Sequence, residues 1–338
     1  MALRVGPVED SGWVEFARSM PEALAFHHPA WMQVLADSYG YQPMAAVLEE
    51  DGQIISGMPV IPLRRLGRRR LVSLPYTDHC PPLARDARAL QAFVVALREW
   101  QADRPHTPVE VRADLGDGIP SRVVAVRHVL PLQEATEEAP SRPSSAWARG
   151  VRKAQRQGLE VHMTESAEAL EDFYRLHCMT RKRLGVPVQP RRFFDHLWRR
   201  IIEPGFGFIL LAQLGARSVA GAVLLGWKGT LVYKYAASDP VFLPVRPNNL
   251  VCAAAIEWGR ALGYQHLDFG RSDLRDKGLR AFKQGSGARE EPLAYSYIGE
   301  SPHDTVNSHA RRLMARFIKA APPAFGRAVG NLLYGHFG

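Results

Sequence analysis

The densest run of residues able to do chemistry lies between Thr230 and Gly287. It reads as a strand (Thr230 to Ala237), a turn at Ser238-Asp239-Pro240, a loop at Arg246-Pro247-Asn248-Asn249, a helix, and a second strand (His266 to Phe269). Gly270-Arg271-Ser272 and Gly278-Leu279-Arg280-Ala281-Phe282-Lys283 follow. Asp239, Asp268 and Arg271 fall at strand ends, where substrate sites of α/β proteins are built. There a carboxylate could orient an amine and a guanidinium could bind a phosphate. Asp268 is equally suited to be a structural partner of Arg271. Asn248 and Asn249 open a helix, where asparagine either caps the N-terminus or supports an anion site. No histidine is forced into a general-base role, and no ordered Ser-His-Asp set with its supporting motifs occurs. The pattern favours direct attack by a substrate amine, with the protein supplying positioning and charge stabilisation. No metal constellation is visible.

Cations form the second set. On a helix expected from about Trp147 to Gln157, Arg149, Arg152, Lys153 and Arg156 share one face, which suits either a neutralising anion or plain solvation. A further helix, Ala167 to Leu184, ends in Thr180-Arg181-Lys182-Arg183-Leu184-Gly185-Val186-Pro187, with Gly185 at the C-terminal cap and Pro187 preventing continuation. Its cationic last turn complements the helix dipole. Arg64 to Arg70 places five arginines in seven residues, as a solvated loop or a phosphate-contacting patch. Beyond it, the proline-stiffened loop Pro75 to Pro82 carries Asp78 and His79.

The elements that must position these groups repeat. Pro43 to Leu63 reads as a hairpin turning at Asp51-Gly52, and Phe208 to Trp227 as another turning at Gly215-Ala216-Arg217, with Gly57 and Gly221 placed alike. After each come a strand, a Pro-containing loop, a helix ending near a tryptophan (Trp100, Trp258) and a short strand; Val109 to Leu115 answers Leu267 to Leu274. Two copies of one mixed α/β unit explain this better than one large sheet. Gln133 to Ser145 has linker composition. The expected organisation is therefore 1–132 as a first domain, 133–146 as linker, 147–300 as a second domain with inserted basic helices, and 301–338 as basic amphipathic helices. That last segment carries Arg311, Arg312, Arg316, Lys319 and Arg327 without an acid after Asn307. It suits an interfacial helix pair on an anionic membrane or packing on the second domain.

With 338 residues and 46% hydrophobic composition the chain can bury a sizeable core. A net charge of +9 favours an anionic partner such as RNA, a nucleotide or an anionic lipid surface. Cys80, Cys178 and Cys252 are widely spaced and odd in number, so neither a disulfide framework nor a zinc site is signalled, which suits a reducing cytoplasm. No exported leader and no run of about 18 apolar residues is read in the sequence.

Together the motifs Arg149 to Gly158 (R-G-V-R-K-A-Q-R-Q-G), Thr180 to Pro187, Arg246 to Leu250 (R-P-N-N-L), Asp268 to Ser272 (D-F-G-R-S) and Gly278 to Gly287 (G-L-R-A-F-K-Q-G-S-G) resemble the FemAB-like branch of the GNAT superfamily. The resemblance implies an α/β fold of mixed sheets with two tandem GNAT-like domains. It implies transfer of an acyl or aminoacyl group to an amine, in the best-known members from aminoacyl-tRNA to a peptidoglycan precursor, in others from acyl-CoA. It also implies that Lys283, with Phe282, offsets negative charge near the reacting centre. Arg152, Arg181, Tyr235, Asp239, Asn248, Asn249, Asp268 and Arg271 are the expected substrate-binding residues. No tightly bound cofactor is expected; the donor is aminoacyl-tRNA or acyl-CoA. CoA-binding GNAT domains place a glycine-rich turn where this chain has Arg246-Pro247-Asn248-Asn249, which weakens the case for ordinary acetyl-CoA. The expected setting is cytoplasmic, with peripheral contact at the inner face of the membrane as one option for the C-terminal helices. The alternative is a non-catalytic module that binds RNA or an anionic membrane.

Overall fold

The computed structural model describes residues 1–9, 12–65, 68–116, 118–133 and 142–300, with Arg316 and Ile318 further on. Most of the expected linker (134–141) and nearly all of the C-terminal segment lie outside the described residues. Two compact units result, residues 1–126 with 292–300 and residues 127–291.

The first unit runs β1 (Ala2–Pro7), α1 (Trp13–Ser19), α2 (Pro29–Tyr39), β2 (Met44–Glu50), β3 (Gln53–Arg65), β4 (Arg68–Val72), β5 (Leu83–Ala84), α3 (Ala87–Ala102), β6 (Val109–Val111) and the start of β7 (Ser121–Pro131). Its sheet has the order β1-β2-β3-β4-β6, and residues 296–298 pair antiparallel with β6. β2 and β3 are joined by Asp51 and Gly52, with φ of 51° and 76°, the two left-handed residues that a tight hairpin turn requires. The arginine-rich stretch is not the loop its composition suggested. Arg64 pairs with Arg69 and Arg65 with Arg68 across β3 and β4, because the strand pairing continues through the cationic run. Phe93 and Leu97 of α3 pack on Leu48, Val60 and Val111 of the sheet.

The second unit contains α4 (Ser145–Arg156), β8 (Leu159–Thr164), α5 (Ala167–Leu184), α6 (Arg191–Leu197), β9 (Gly207–Leu214), β10 (Arg217–Trp227), β11 (Thr230–Ser238), α7 (Pro247–Ala261), β12 (His266–Ser272), α8 (Lys277–Gly285) and the start of β13 (Arg289–Ile298). Its sheet order is β12-β11-β10-β9-β8. Every pairing there is antiparallel except that of β11 with β12. α5 spans the residues expected and ends on Gly185, left-handed at φ 74°. Val251 and Ala255 of α7 join Leu210, Leu224, Leu231 and Leu267 of the sheet in one core.

The repeat is visible in packing. A Cβ on Gly57 would stand 2.7 Å from the Ala46 carbonyl oxygen and 3.2 Å from the Trp13 ring of α1. A Cβ on Gly221 would stand 2.7 Å from the Leu210 carbonyl oxygen and 3.4 Å from the Phe173 ring of α5. In each unit the second hairpin strand omits a side chain where an aromatic ring from a helix crosses it.

Candidate active site

The site is built where two parallel strands part. β11 and β12 are in register only over Thr230–Val232 and His266–Asp268. Beyond that point β11 continues to Ser238 and β12 to Ser272 without pairing to each other, leaving a fork at the carboxyl ends of both strands. Tyr233 and Phe269 face each other across its base, ring centroids 5.7 Å apart.

Parting strands leave carbonyls to be satisfied, and Lys283 meets that need. Its Nζ donates to the carbonyls of Phe269 (2.7 Å), Gly270 (2.9 Å) and Arg271 (3.1 Å). In a regular strand successive carbonyls point to opposite edges. Three consecutive ones can reach one ammonium because Gly270 is left-handed, at φ 64°. Lys283 is 7% exposed and lies in the last turn of α8; the adjacent Phe282 packs on the core. Asp268, 4% exposed, fixes the same turn: its Oδ1 accepts the Gly270 N–H at 2.7 Å, and its Oδ2 lies 3.8 Å from Arg127 Nη1. The Arg271 carbonyl belongs to this assembly through its bond from Lys283, and the residue itself is exposed.

The opposite wall is the start of α7. Arg246 occupies the N-cap in a left-handed conformation (φ 64°), Pro247 is the first helical residue, and no side chain caps the helix. Asn248 and Asn249 are thus inside the first turn, and neither is the cap that their residue type suggested. Asn248 Nδ2 lies 3.4 Å from Ser238 Oγ, and Asn249 Nδ2 lies 3.5 Å from the Trp147 carbonyl of α4. That contact explains the glycine of the R-G-V-R-K motif, because a Cβ on Gly150 would come within 2.7 Å of Asn249 Nδ2. Trp147 and Ala154 are buried, so Arg149, Arg152, Lys153 and Arg156 project from the opposite, exposed face, without an ion-pair partner among the described residues.

The other expected residues have structural duties. Asp239 is buried, accepts the Val241 N–H at 3.0 Å and pairs with Arg217 at 2.9 Å, so it caps the short 3-10 helix Pro240–Val245. Arg181 donates from Nε to the Pro187 carbonyl at 2.8 Å. Tyr235 belongs to an aromatic cluster, its ring centroid 5.6 Å from Phe194 and 5.9 Å from His177.

Several residues were not singled out by sequence. Thr180 Oγ1 accepts the Ser238 N–H (2.9 Å) and donates to the Ser238 carbonyl (3.1 Å), pinning α5 to the end of β11. Arg280 grips Glu290 with two bonds of 2.8 and 2.7 Å. His128, fully buried, stands 3.2 Å from Glu290; burial, helped by the charge of Lys283 and opposed by Glu290, lowers its pKa to about 4. Arg280 lies three residues before Lys283 on α8, so helical spacing was the available signal; nothing local pointed to His128. Ser272 Oγ, buried at the end of β12, has no hydrogen-bond partner among the described residues. Nor do the described residues contain a group of three or more metal-ligating side chains.

The family model described as acetyltransferase (GNAT) domain matches residues 145–283, which include every element of the fork. No curated protein matches the chain's sequence. Among solved structures, a crystal structure of FemX superposes with a TM-score of 0.64 at 14% identity, covering 92% of this chain and 100% of that one. L-PGS from Bacillus licheniformis superposes with 0.57 at 13%, covering 94% and 99%. The C-terminal domain of a putative lysylphosphatidylglycerol synthetase from Agrobacterium fabrum gives 0.57 at 11%, covering 92% and 96%. The resemblance to the FemAB-like branch of the GNAT superfamily therefore holds at the level of fold, in an α/β chain of two GNAT-like units. No helix among the described residues is long and apolar enough to cross a membrane.

Proposed function

We propose that this GNAT-fold chain transfers an acyl or aminoacyl group from an activated donor, acyl-CoA or aminoacyl-tRNA, to an amine acceptor at the open end of the β11–β12 fork. The parting of these strands beyond Val232 and Asp268 carries the reading, since it opens a slot between their carboxyl ends within the matched domain, and the buried Ser272 hydroxyl at the end of β12 has no hydrogen-bond partner among the described residues.

In that slot the neutral amine nitrogen attacks the donor carbonyl. A C–N bond forms, the thioester C–S or ester C–O bond breaks, and the proton lost from nitrogen leaves with the thiol or hydroxyl. Lys283 contributes through charge and position: its three N–H groups all point at carbonyls, so its field acts on the developing oxyanion while Phe282 anchors the helix that carries it. The uncapped start of α7, with Asn248 and Asn249 in its first turn, takes donor phosphate, and the exposed face of Arg152 extends that positive field. Asp239, Asp268, Arg181, Tyr235 and Arg271 act mainly by holding the walls of the slot. An envelope-precursor amine as acceptor, and a cytoplasmic chain touching the inner membrane face through its C-terminal segment, belong to the same reading.

The test is a mass-spectrometric search for covalent products after incubation with pools of charged tRNA or acyl-CoA and candidate amines. A product abolished by ribonuclease identifies the RNA donor, and one that survives identifies the thioester. Absence of product from both pools, alongside steeply salt-dependent RNA or vesicle binding, would leave a binding module in place of a transferase.

A further inference from the structure

The second unit carries an apolar tip just before α7. Side chains of a 3-10 helix repeat every three residues, so along Pro240–Val245 Phe242 and Val245 share one side, and Val241 and Pro244 another. Phe242 and Val245 pack on the core of the unit. Val241, 74% exposed, and Pro244, also exposed, stay on the solvent side. The tip is held in place. Asp239 accepts the Val241 N–H at 3.0 Å and pairs with Arg217, whose guanidinium carbon lies 5.0 Å from the centre of the Phe242 ring. Pro240 and Pro244 fix two further φ angles.

One exposed valine is ordinary, but its neighbours are not. The helix Pro240–Val245 lies against α4, α5 and α7. Thr180 of α5 is bonded to Ser238, two residues before the tip, so the last turn of α5 begins beside it and carries the exposed Arg183 and Leu184, the latter 50% exposed. Gly150 of α4 packs on Asn249 in the first turn of α7, which brings the cationic face of α4 to the other flank. Arg246, exposed, follows the tip directly. Residues 142–157, 177–187 and 240–256 build this end of the unit; they contain nine Lys and Arg and no Asp or Glu. Asp239, at the foot of the tip, is buried and already paired. Arg149 and Arg183 have no ion-pair partner among the described residues.

We infer that this end of the second unit docks on an anionic lipid bilayer, with Val241 and Leu184 entering the boundary between headgroups and acyl chains while the surrounding arginines meet lipid phosphates. An RNA strand would satisfy the cations, but its bases stack on aromatic or guanidinium planes, and the outermost uncharged side chains here are aliphatic. A bilayer offers both partners side by side, hydrocarbon for the tip and phosphate for the ring of charge. Because the tip is rigid beforehand, docking orders no segment.

The test is co-sedimentation of the full chain with vesicles of phosphatidylcholine and phosphatidylglycerol in equal parts, compared with vesicles of phosphatidylcholine alone and with tRNA binding. The mixed vesicles should bind saturably and far more tightly than the neutral ones. Arg149→Gln with Arg183→Gln should weaken that binding about tenfold or more, and Val241→Gln with Leu184→Gln should do likewise. Melting temperatures should stay within a few degrees, since all four side chains are exposed. If a double variant does not fold, Val241→Gln alone decides. Both pairs leave residues 301–338 unaltered, so full-strength binding by either folded variant overturns the inference. Failure to bind the mixed vesicles overturns it too, as does tighter binding to tRNA than to vesicles with the aliphatic variant unaffected. No donor is present in these assays, so none of the outcomes bears on acyl transfer.

Discussion

The two units solve one problem in opposite ways. In each, a short parallel pair ends with an acid opposite a valine, Glu110 opposite Val72 and Asp268 opposite Val232, and in each the acid faces arginine. From there they diverge. The first unit leaves β4 through a heavily bonded loop, Ser73 to Pro82, and caps the helix that follows through Asp86, whose carboxylate accepts the Ala89 N–H at 2.7 Å. The second keeps β11 and β12 apart, satisfies the unpaired carbonyls with one ammonium, and leaves the start of α7 without a side-chain cap. An acid at a helix N-terminus occupies the place an anionic ligand would take; an uncapped one keeps it available. The first copy fills its helix start with its own carboxylate, and the second leaves that place open to an anion.

Substitution at the two cationic clamps breaks the comparison most strongly. Lys283→Met strands three carbonyls in a buried setting and should cost about 3 kcal/mol or more in denaturant unfolding, together with transfer activity. Arg112→Met removes one bond to Thr77 and part of the Glu110 pair, and should cost about 2 kcal/mol. Equal losses would mean that the fork does not depend on its lysine.

Acid should weaken both units together. Burial lowers the pKa of His27 to about 4 in the first unit and of His177 to about 3 in the second. Between those values and the ordinary 6.5 the unfolded chain binds the protons, so stability is complete above pH 6.5 and falls as pH drops through the window. The slope approaches about 1.4 kcal/mol per pH unit for each histidine. Urea midpoints at pH 7 and pH 5 measure it, and a flat profile would show that these imidazoles protonate within the fold.

Smaller effects sharpen the contrast at the helix starts. Asp86→Ala should destabilise by about 1 kcal/mol through loss of the α3 cap. Arg246→Gly should stabilise by roughly 0.5 kcal/mol, because glycine adopts the left-handed N-cap without strain, while weakening capture of an anionic donor. A destabilised Arg246→Gly would show that the arginine side chain holds the turn.

Much of this was legible in sequence. The helices Ala87–Ala102 and Ala167–Leu184, the Asp51-Gly52 hairpin and the paired Gly57 and Gly221 follow from periodicity and backbone-special residues, and the motifs from Arg149 to Gly287 marked out the domain that holds the fork. The arginine-rich strands misled because charge reports solvation and not pairing. Asn248 and Asn249 misled because the cap is chosen by backbone conformation, which Arg246 adopts despite its type.

The sequence by itself determined the periodic elements, the repeat and the residues gathered near the strand ends, since each depends on neighbours within one turn or one strand. Only the tertiary structure decided what those residues do. Lys283 reaches Phe269, Gly270 and Arg271, His128 meets Glu290, and Thr180 holds Ser238, all across separations that no local pattern encodes. A hydrogen bond is set by distance and angle between atoms brought together by burial, so the duty of a polar side chain is settled only when its surroundings are folded around it.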